Sequence, residues 1–221
     1  TSKYAEQIDL LTSIRTKRIA PSIDSKQLLS WNSMYLIGLI DVFKITRDPI
    51  LKVKIEEVFN AIEKHLFLHT NYLHQSIFSD KPIFAFLDDL ASLGLALIQG
   101  YLFDGNKKYV QIANFINEQI ELLHTEQNNL YNFHSNANES LIAPKFEIVD
   151  SVCPSANSMV CEFYLWLGFI NSDAALTVKG RAMLAAVIEQ AQGNHDDDCD
   201  CVGNIVWHVF GNASTHWCSN T

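Results

Sequence analysis

The residues best suited to chemistry in this 221-residue chain are acids and amides gathered at three places, each at the start of a long apolar run. Asp24, Lys26, Trp31 and Asn32 stand at the first, Asp88-Asp89 at the second, and Asp150 with Ser155 and Asn157 at the third. Paired carboxylates are what glycoside hydrolysis requires. One, with a raised pKa, protonates the leaving oxygen, and the other activates water or attacks directly. Asp89 with Asp150 is the expected catalytic pair, with Asp24 as an alternative partner for Asp89. Trp31 offers a stacking face for a sugar, Asn32 and Asn157 offer hydroxyl contacts, and Asp24, Lys26, Asp88 and Ser155 complete a polar pocket wall. The plainer reading makes Asp24, Asp88 and Ser155 helix caps, a role that favours such residues and contributes about 1 kcal/mol each.

Two other chemistries have weaker footing. Epimerisation of an acylated amino sugar calls for two bases on opposite sides of one carbon. The histidines His65, His69, His74, His124, His134, His195, His208 and His216 place none inside an inner helix before His208, and those at outer-helix ends suit bonds to the last carbonyls. The segment His195-Asp196-Asp197-Asp198-Cys199-Asp200-Cys201, with His208, His216 and Cys218 beyond, mixes zinc-type and hard-cation ligands. Cys-x-Cys with remote histidines fits no zinc-finger spacing, and aspartates around a thiolate raise its pKa. An acidic run favoured by the start of a helix over residues 202–210 is the simpler account, so no metal and no cofactor is expected.

Three stretches must position the acids. Residues 27–45, 85–103 and 155–171 are apolar almost all the way round, and a helix without a wet face belongs to an inner, covered layer. Residues 51–68 (Ile55, Val58, Ile62 and Leu66 against Lys54, Glu56, Glu57, Glu63 and Lys64) and 107–124 (Val110, Phe115, Ile116, Ile120 and Leu123 against Lys108, Gln111, Asn114 and Glu118) each carry a single apolar stripe, as outer helices do. Residues 2–16 and 173–192 read as further outer helices, the first of them without a partner. Inner helices beginning near 27, 85 and 155 are 58 and 70 residues apart, longer than the period of roughly 33 to 47 in common helical arrays. The extra length lies in links 70–82 and 126–149, whose short alternating runs suit hairpins or ordered loops. The expected fold is therefore all-α, an (α/α) toroid of alternating inner and outer helices or an open part of one. If the inner helices are parallel, their polar entrances share one rim.

Composition narrows the partners. With 48% hydrophobic and 19% charged residues, the chain suits one domain over residues 1–221. A net charge of −9 disfavours a nucleic-acid partner, and no basic amphipathic helix offers itself to a membrane. Asp41 and Lys44 interrupt the first apolar stretch and Asp88-Asp89 the second, so neither reads as a membrane span. Five cysteines without a regular framework suit a reducing, cytoplasmic setting. The opening Thr1-Ser2-Lys3-Tyr4-Ala5-Glu6 reads as a start inside a longer protein. A small carbohydrate-like ligand is the expected partner, and uncovered apolar helices predict self-association or packing on more of a longer chain.

At Asp24-Ser25-Lys26-Gln27-Leu28-Leu29-Ser30-Trp31-Asn32, Leu87-Asp88-Asp89-Leu90-Ala91 and Asp150-Ser151-Val152-Cys153-Pro154-Ser155-Ala156-Asn157-Ser158, preceded by Arg18-Ile19-Ala20-Pro21, the chain resembles the spermatogenesis-associated, thioredoxin-domain-containing protein family. The resemblance covers residues 15–171 and implies the C-terminal (α/α)6 toroid of that family, similar to N-acylglucosamine 2-epimerases and six-hairpin glycosidases, without its thioredoxin-like domain. Ser25 stands where the family has an acid, Leu29 where it has Thr, Ser33 where it has Gly, Leu90 where it has Tyr and Cys153 where it has Glu. Lost polar groups keep a second expectation open, a non-catalytic ligand-binding or interaction scaffold.

Overall fold

Arg47-Asp48, Gly105-Asn106 and Ser172-Asp173 are one turn made three times. Its first residue takes the left-handed conformation, with φ of 56°, 72° and 55°, and ends a helix. Its second caps the next helix: Asp48 accepts from the Ile50 N–H at 2.9 Å, Asn106 from Lys108 at 3.0 Å and Asp173 from Ala175 at 2.9 Å. So short a turn lays the joined helices antiparallel, and the chain becomes three helical hairpins.

The computed structural model describes residues 4–76, 81–124, 129–134, 138, 145–148 and 153–193. The helices are α1 (Ala5–Thr16), α2 (Leu29–Thr46), α3 (Pro49–His65), α4 (Leu87–Asp104), α5 (Lys107–Glu121), α6 (Ala156–Asn171) and α7 (Ala174–Gly193). α2, α4 and α6 stand side by side with α4 in the middle, while α3 backs α2, α5 backs α4 and α7 backs α6. These are the inner and outer layers of an (α/α) toroid. Asp150, the segment from His195 to Cys201 and the helix expected over residues 202–210 lie outside the described residues.

The inner helices are parallel. Near their starts the Ser30 N–H of α2 meets Asp89 of α4, and near their ends Phe43 lies edge-on to Phe103 with centroids 4.8 Å apart. Gly94, midway along α4, lies directly beneath the ring of Phe163, midway along α6. All three N-termini therefore share a rim, and the long links run there. Two outer helices end three residues earlier than expected: α5 stops at Glu121, and α3 stops at His65, where Phe67–Leu68 (β1) turns back through left-handed His69 to pair antiparallel with Asn71–Tyr72 (β2).

α4 matches the expectation of a helix covered all round, since every residue from Leu87 to Ile98 is buried except Asp88. Its neighbours are covered on fewer sides. On α2, Trp31, Tyr35, Val42 and Ile45 form an outward stripe, Trp31 at 66% and Ile45 at 85% exposure, so burial on every side is corrected for this helix. α1 has no buried residue, and its Ile8, Leu11 and Ile14 face outward. Among the described residues no helix is long and apolar enough to cross a membrane.

Close approach of α4 and α6 depends on Gly94, where an added Cβ would sit 2.8 Å from the Phe163 ring. Gly94→Ala overpacks this contact and lowers urea-unfolding stability by about 1–3 kcal/mol. Gly38, whose Cβ would meet nothing within 4 Å, reports helix propensity alone, and Gly38→Ala raises stability by up to about 1 kcal/mol. Equal effects at the two positions would contradict this packing.

Candidate functional site

A carboxylate sealed from water must be hydrogen-bonded at both oxygens, and Asp89 is 0% exposed. Its Oδ1 accepts from the Ser30 N–H at 2.9 Å, while Oδ2 accepts from the Phe86 N–H at 3.0 Å and from His74 Nδ1 at 2.8 Å. One side chain thus caps its own helix and the neighbouring α2, whose N-cap residue Leu28 has no acceptor side chain. The same bond holds the His74 pKa above its ordinary value; burial opposes it, and the charges of Asp89 and Asp88 assist.

Asn157 performs a similar task at α6. Its amide oxygen accepts from the Tyr131 N–H at 2.8 Å, and its nitrogen donates to the carbonyls of Tyr131 at 3.2 Å and Glu147 at 2.9 Å. Ser155, also buried, accepts from the Ser158 N–H at 3.3 Å and caps the helix. The Phe133 carbonyl takes the Leu87 N–H at 3.1 Å and the Phe133 N–H goes to the Lys145 carbonyl at 2.8 Å, which ties the links to the start of α4.

On this frame sits an aromatic cluster. Phe86 stacks on Phe133 with centroids 5.4 Å apart, and His74 and His134 lie 4.7 Å and 5.0 Å from the Phe86 ring. Lys145 Nζ stands 4.5 Å over the Phe133 ring and pairs with Glu147 at 2.7 Å. Asp88 enters the same region. Burial, then the neighbouring charge of Asp89 and more weakly that of Glu147, push its pKa up to about 6, against opposition from the Asp89 backbone N–H and from His74. Its Oδ1 is buried with no hydrogen-bond partner among the described residues. A carboxyl that holds its proton near neutrality, beside an imidazole and aromatic faces, can donate that proton to a leaving oxygen.

The expected residues separate into two groups. Asp88 lies at the rim with an unused oxygen, and Lys26 is near enough to act on the His74 pKa while pairing with exposed Asp24 at 3.1 Å. Asp89, Ser155 and Asn157 are committed to the frame, Asn32 donates to its own helix at the Leu28 carbonyl (2.7 Å), and Trp31 points outward from α2. Sequence reasoning passed over Phe86, Phe133, Lys145 and Glu147, and it weighed His74 and His134 only as epimerase bases. The alternating runs in the links marked their neighbourhood, but only packing brings them together. Two departures from the family strings are not rim residues at all: Leu90 is buried, and buried Ser33 bonds the Leu29 carbonyl at 2.8 Å.

No protein-family profile matches the chain. It is 30% identical over 118 residues to an uncharacterised protein of Caenorhabditis elegans, a match spanning 49% of this chain and 16% of that protein. Among solved structures it is similar to a glycoside hydrolase family 76 α-mannanase of Bacteroides thetaiotaomicron, with a TM-score of 0.69 at 16% identity over 89% of this chain and 55% of that one. A cellobiose 2-epimerase of Bacillus thermoamylovorans aligns with a TM-score of 0.58 at 11% identity, over 86% of this chain and 56% of that one. An inactive α-1,6-mannanase variant of Salegentibacter, with two adjacent aspartates replaced by asparagine and bound to α-1,6-mannotriose, aligns with a TM-score of 0.59 at 9% identity, over 85% and 54%. At these identities the likeness shows the fold, the (α/α) toroid of six-hairpin glycosidases and epimerases. The chain spans about half the length of these structures.

Asp88 also leaves a mark on stability. Its folded pKa of about 6 exceeds the ordinary 3.8, so the stabilisation is complete below about pH 4 and is lost as pH rises through about 6. His74, also raised, acts in the same sense, its contribution fading as pH rises past its folded pKa. In urea titrations from about pH 4 to about pH 8, Asp88→Asn flattens the decline and is at least as stable as wild type at pH 7. An unchanged pH profile would contradict this assignment.

Proposed function

We propose that the rim of the inner helices is a carbohydrate-binding cleft in which Asp88 is the proton-donating acid of a glycosidase-like site. The observation that carries this reading is the half-buried Asp88 carboxyl, with one oxygen unsatisfied among the described residues and a pKa of about 6, near enough to feel the charge of His74, whose ring packs on Phe86 and through it on Phe133. Aromatic faces suit the apolar faces of a pyranose, and a sugar hydroxyl or glycosidic oxygen would satisfy the orphaned atom. The second carboxylate is Glu147, whose charge already acts on Asp88, or Asp150 from the sequence reading.

The mannanase variant that is inactive with both of two adjacent aspartates replaced supports choosing the Asp88-Asp89 pair for test. Here the two divide the work: Asp89 holds the frame and Asp88 meets the ligand. The sequence strings around Trp31, Asp88 and Asn157 further support membership of the spermatogenesis-associated, thioredoxin-domain-containing family, and five cysteines without a regular framework support a cytoplasmic setting. The scaffold reading loses ground, because two of the departures that suggested it, Ser33 and Leu90, lie in the core.

Thermal shift with mannose, N-acetylglucosamine, cellobiose and α-1,6-mannotriose tests the cleft, since a ligand that binds only the folded state raises Tm. At least one sugar shifts wild type, Phe133→Ala loses the shift, and Asp88→Asn binds without turning over an α-linked substrate. A folded protein that no sugar shifts would overturn the carbohydrate reading. Binding with equal turnover in wild type and Asp88→Asn would overturn the acid assignment alone.

A further inference from the structure

We infer that Glu121, on the outer side of the layer, is a positioning residue for the rim: through the Tyr131 ring it sets the rotation of the link that carries Phe133 and His134 to Phe86. Its effect on a sugar rests on the cleft proposed above, while its effect on the rings does not.

Tyr131 belongs to the second link, yet it is 0% exposed and its side chain ends among three helices. Its hydroxyl donates at 2.7 Å to Oε1 of Glu121, the last residue of α5. The same oxygen accepts from Tyr164 of α6 at 2.5 Å, and Glu121 Oε2 pairs with Lys179 of α7. The two hydroxyl oxygens lie 3.0 Å apart, the rings meet edge to face with centroids 5.9 Å apart, and Lys179 Nζ stands 5.5 Å and 5.8 Å over them. Glu121 and Lys179 remain partly exposed, so this clamp opens on the outer surface.

From the clamp the chain turns at once to the rim. Backbone bonds lay its path: the Tyr131 N–H to Asn157, the Asn132 N–H to the Leu123 carbonyl at 3.0 Å and the Phe133 N–H to the Lys145 carbonyl. Such bonds fix where a segment runs more tightly than how it is rolled about its own axis, and a ring gripped at its far end fixes the roll. Phe133 is two residues on, at most about 7 Å of chain, and His134 follows it. Their rings pack with Phe86 in a triangle whose centroids are 5.4, 5.0 and 5.1 Å apart. A small rotation at Tyr131 is therefore carried into this cluster.

The grip depends on charge, because an ionised carboxylate takes two hydroxyl donors more strongly than a neutral group does. Burial works against ionisation of Glu121, but Lys179 and the two phenols outweigh it and hold its pKa below the ordinary value. Burial also raises the pKa of both phenols, so they remain donors.

NMR of the whole chain, without sugar, tests the clamp through His134, whose ring protons take ring-current shifts from Phe86 and Phe133. Tyr131→Phe, which loses one oxygen, and Glu121→Gln, which keeps its size, each retain wild-type helicity and move the His134 signals toward those of exposed His65, whose own signals stay. Asp48→Ala, which loses a helix cap at the other end of the layer, lowers stability without moving them. Both clamp variants also bind whichever of mannose, N-acetylglucosamine, cellobiose and α-1,6-mannotriose shifts wild type at least about tenfold more weakly. His134 signals unmoved in both folded variants would overturn the positioning role, and moved signals with wild-type sugar affinity would overturn its bearing on the cleft. Moved signals in a protein that no sugar shifts would uphold the clamp and overturn the carbohydrate reading alone.

Discussion

A single carboxylate, Asp89, carries more of this architecture than any hydrophobic residue. Two helices of the inner layer begin at it, one through the Phe86 N–H and one through the Ser30 N–H, and the loop residue His74 is drawn to it as well. A buried charge is tolerable only when every lone pair has work, so these three donors come as a set. Their joint presence fixes the stagger of α2 against α4 and places His74 beside Asp88. The polar and aromatic rim is a by-product of capping: the residue that seals the helix starts also aligns the groups around them.

The two ends of the layer differ in what they carry. At one end, two-residue turns built on a left-handed residue and an Asp or Asn cap leave no room for a site. At the other, the chain must cross from an outer helix to the next inner one, and the long links that do so carry His74, Phe133, His134, Lys145 and Glu147. The Asn157 side chain bonds the backbone of Tyr131 and Glu147, and Phe133 bonds Leu87 and Lys145, which ties the described parts of the second link to the starts of α4 and α6. A separate cluster ties the outer side: Glu121 accepts from the hydroxyls of Tyr131 at 2.7 Å and Tyr164 at 2.5 Å and pairs with Lys179.

The fold was largely legible because burial is written in periodicity. The all-round apolar stretches became α2, α4 and α6 within two residues at most ends, and the one-stripe segments became their backing helices. The site was legible only in outline. An aspartate before an apolar run reads the same whether it clamps two helices or waits for a ligand, and only the bonds to Ser30 and His74 separate Asp89 from Asp88. Asn157 looked like a sugar contact for the same reason, since its three backbone partners lie 10 and 26 residues away. The aromatic cluster depends on links whose paths follow no repeat. Trp31, apparently a stacking platform, faces away because the edge of the layer, invisible in sequence, falls on its side of α2.

The central claim is that one carboxylate caps two helices, and amide hydrogen exchange tests it most directly. In wild type the Ser30 and Phe86 amides, far apart in sequence, exchange slowly, and in Asp89→Asn both lose protection together by at least tenfold while amides in the middle of α4 keep theirs. Loss at Phe86 alone, with Ser30 unchanged, would contradict the account and leave Asp89 a cap for its own helix only.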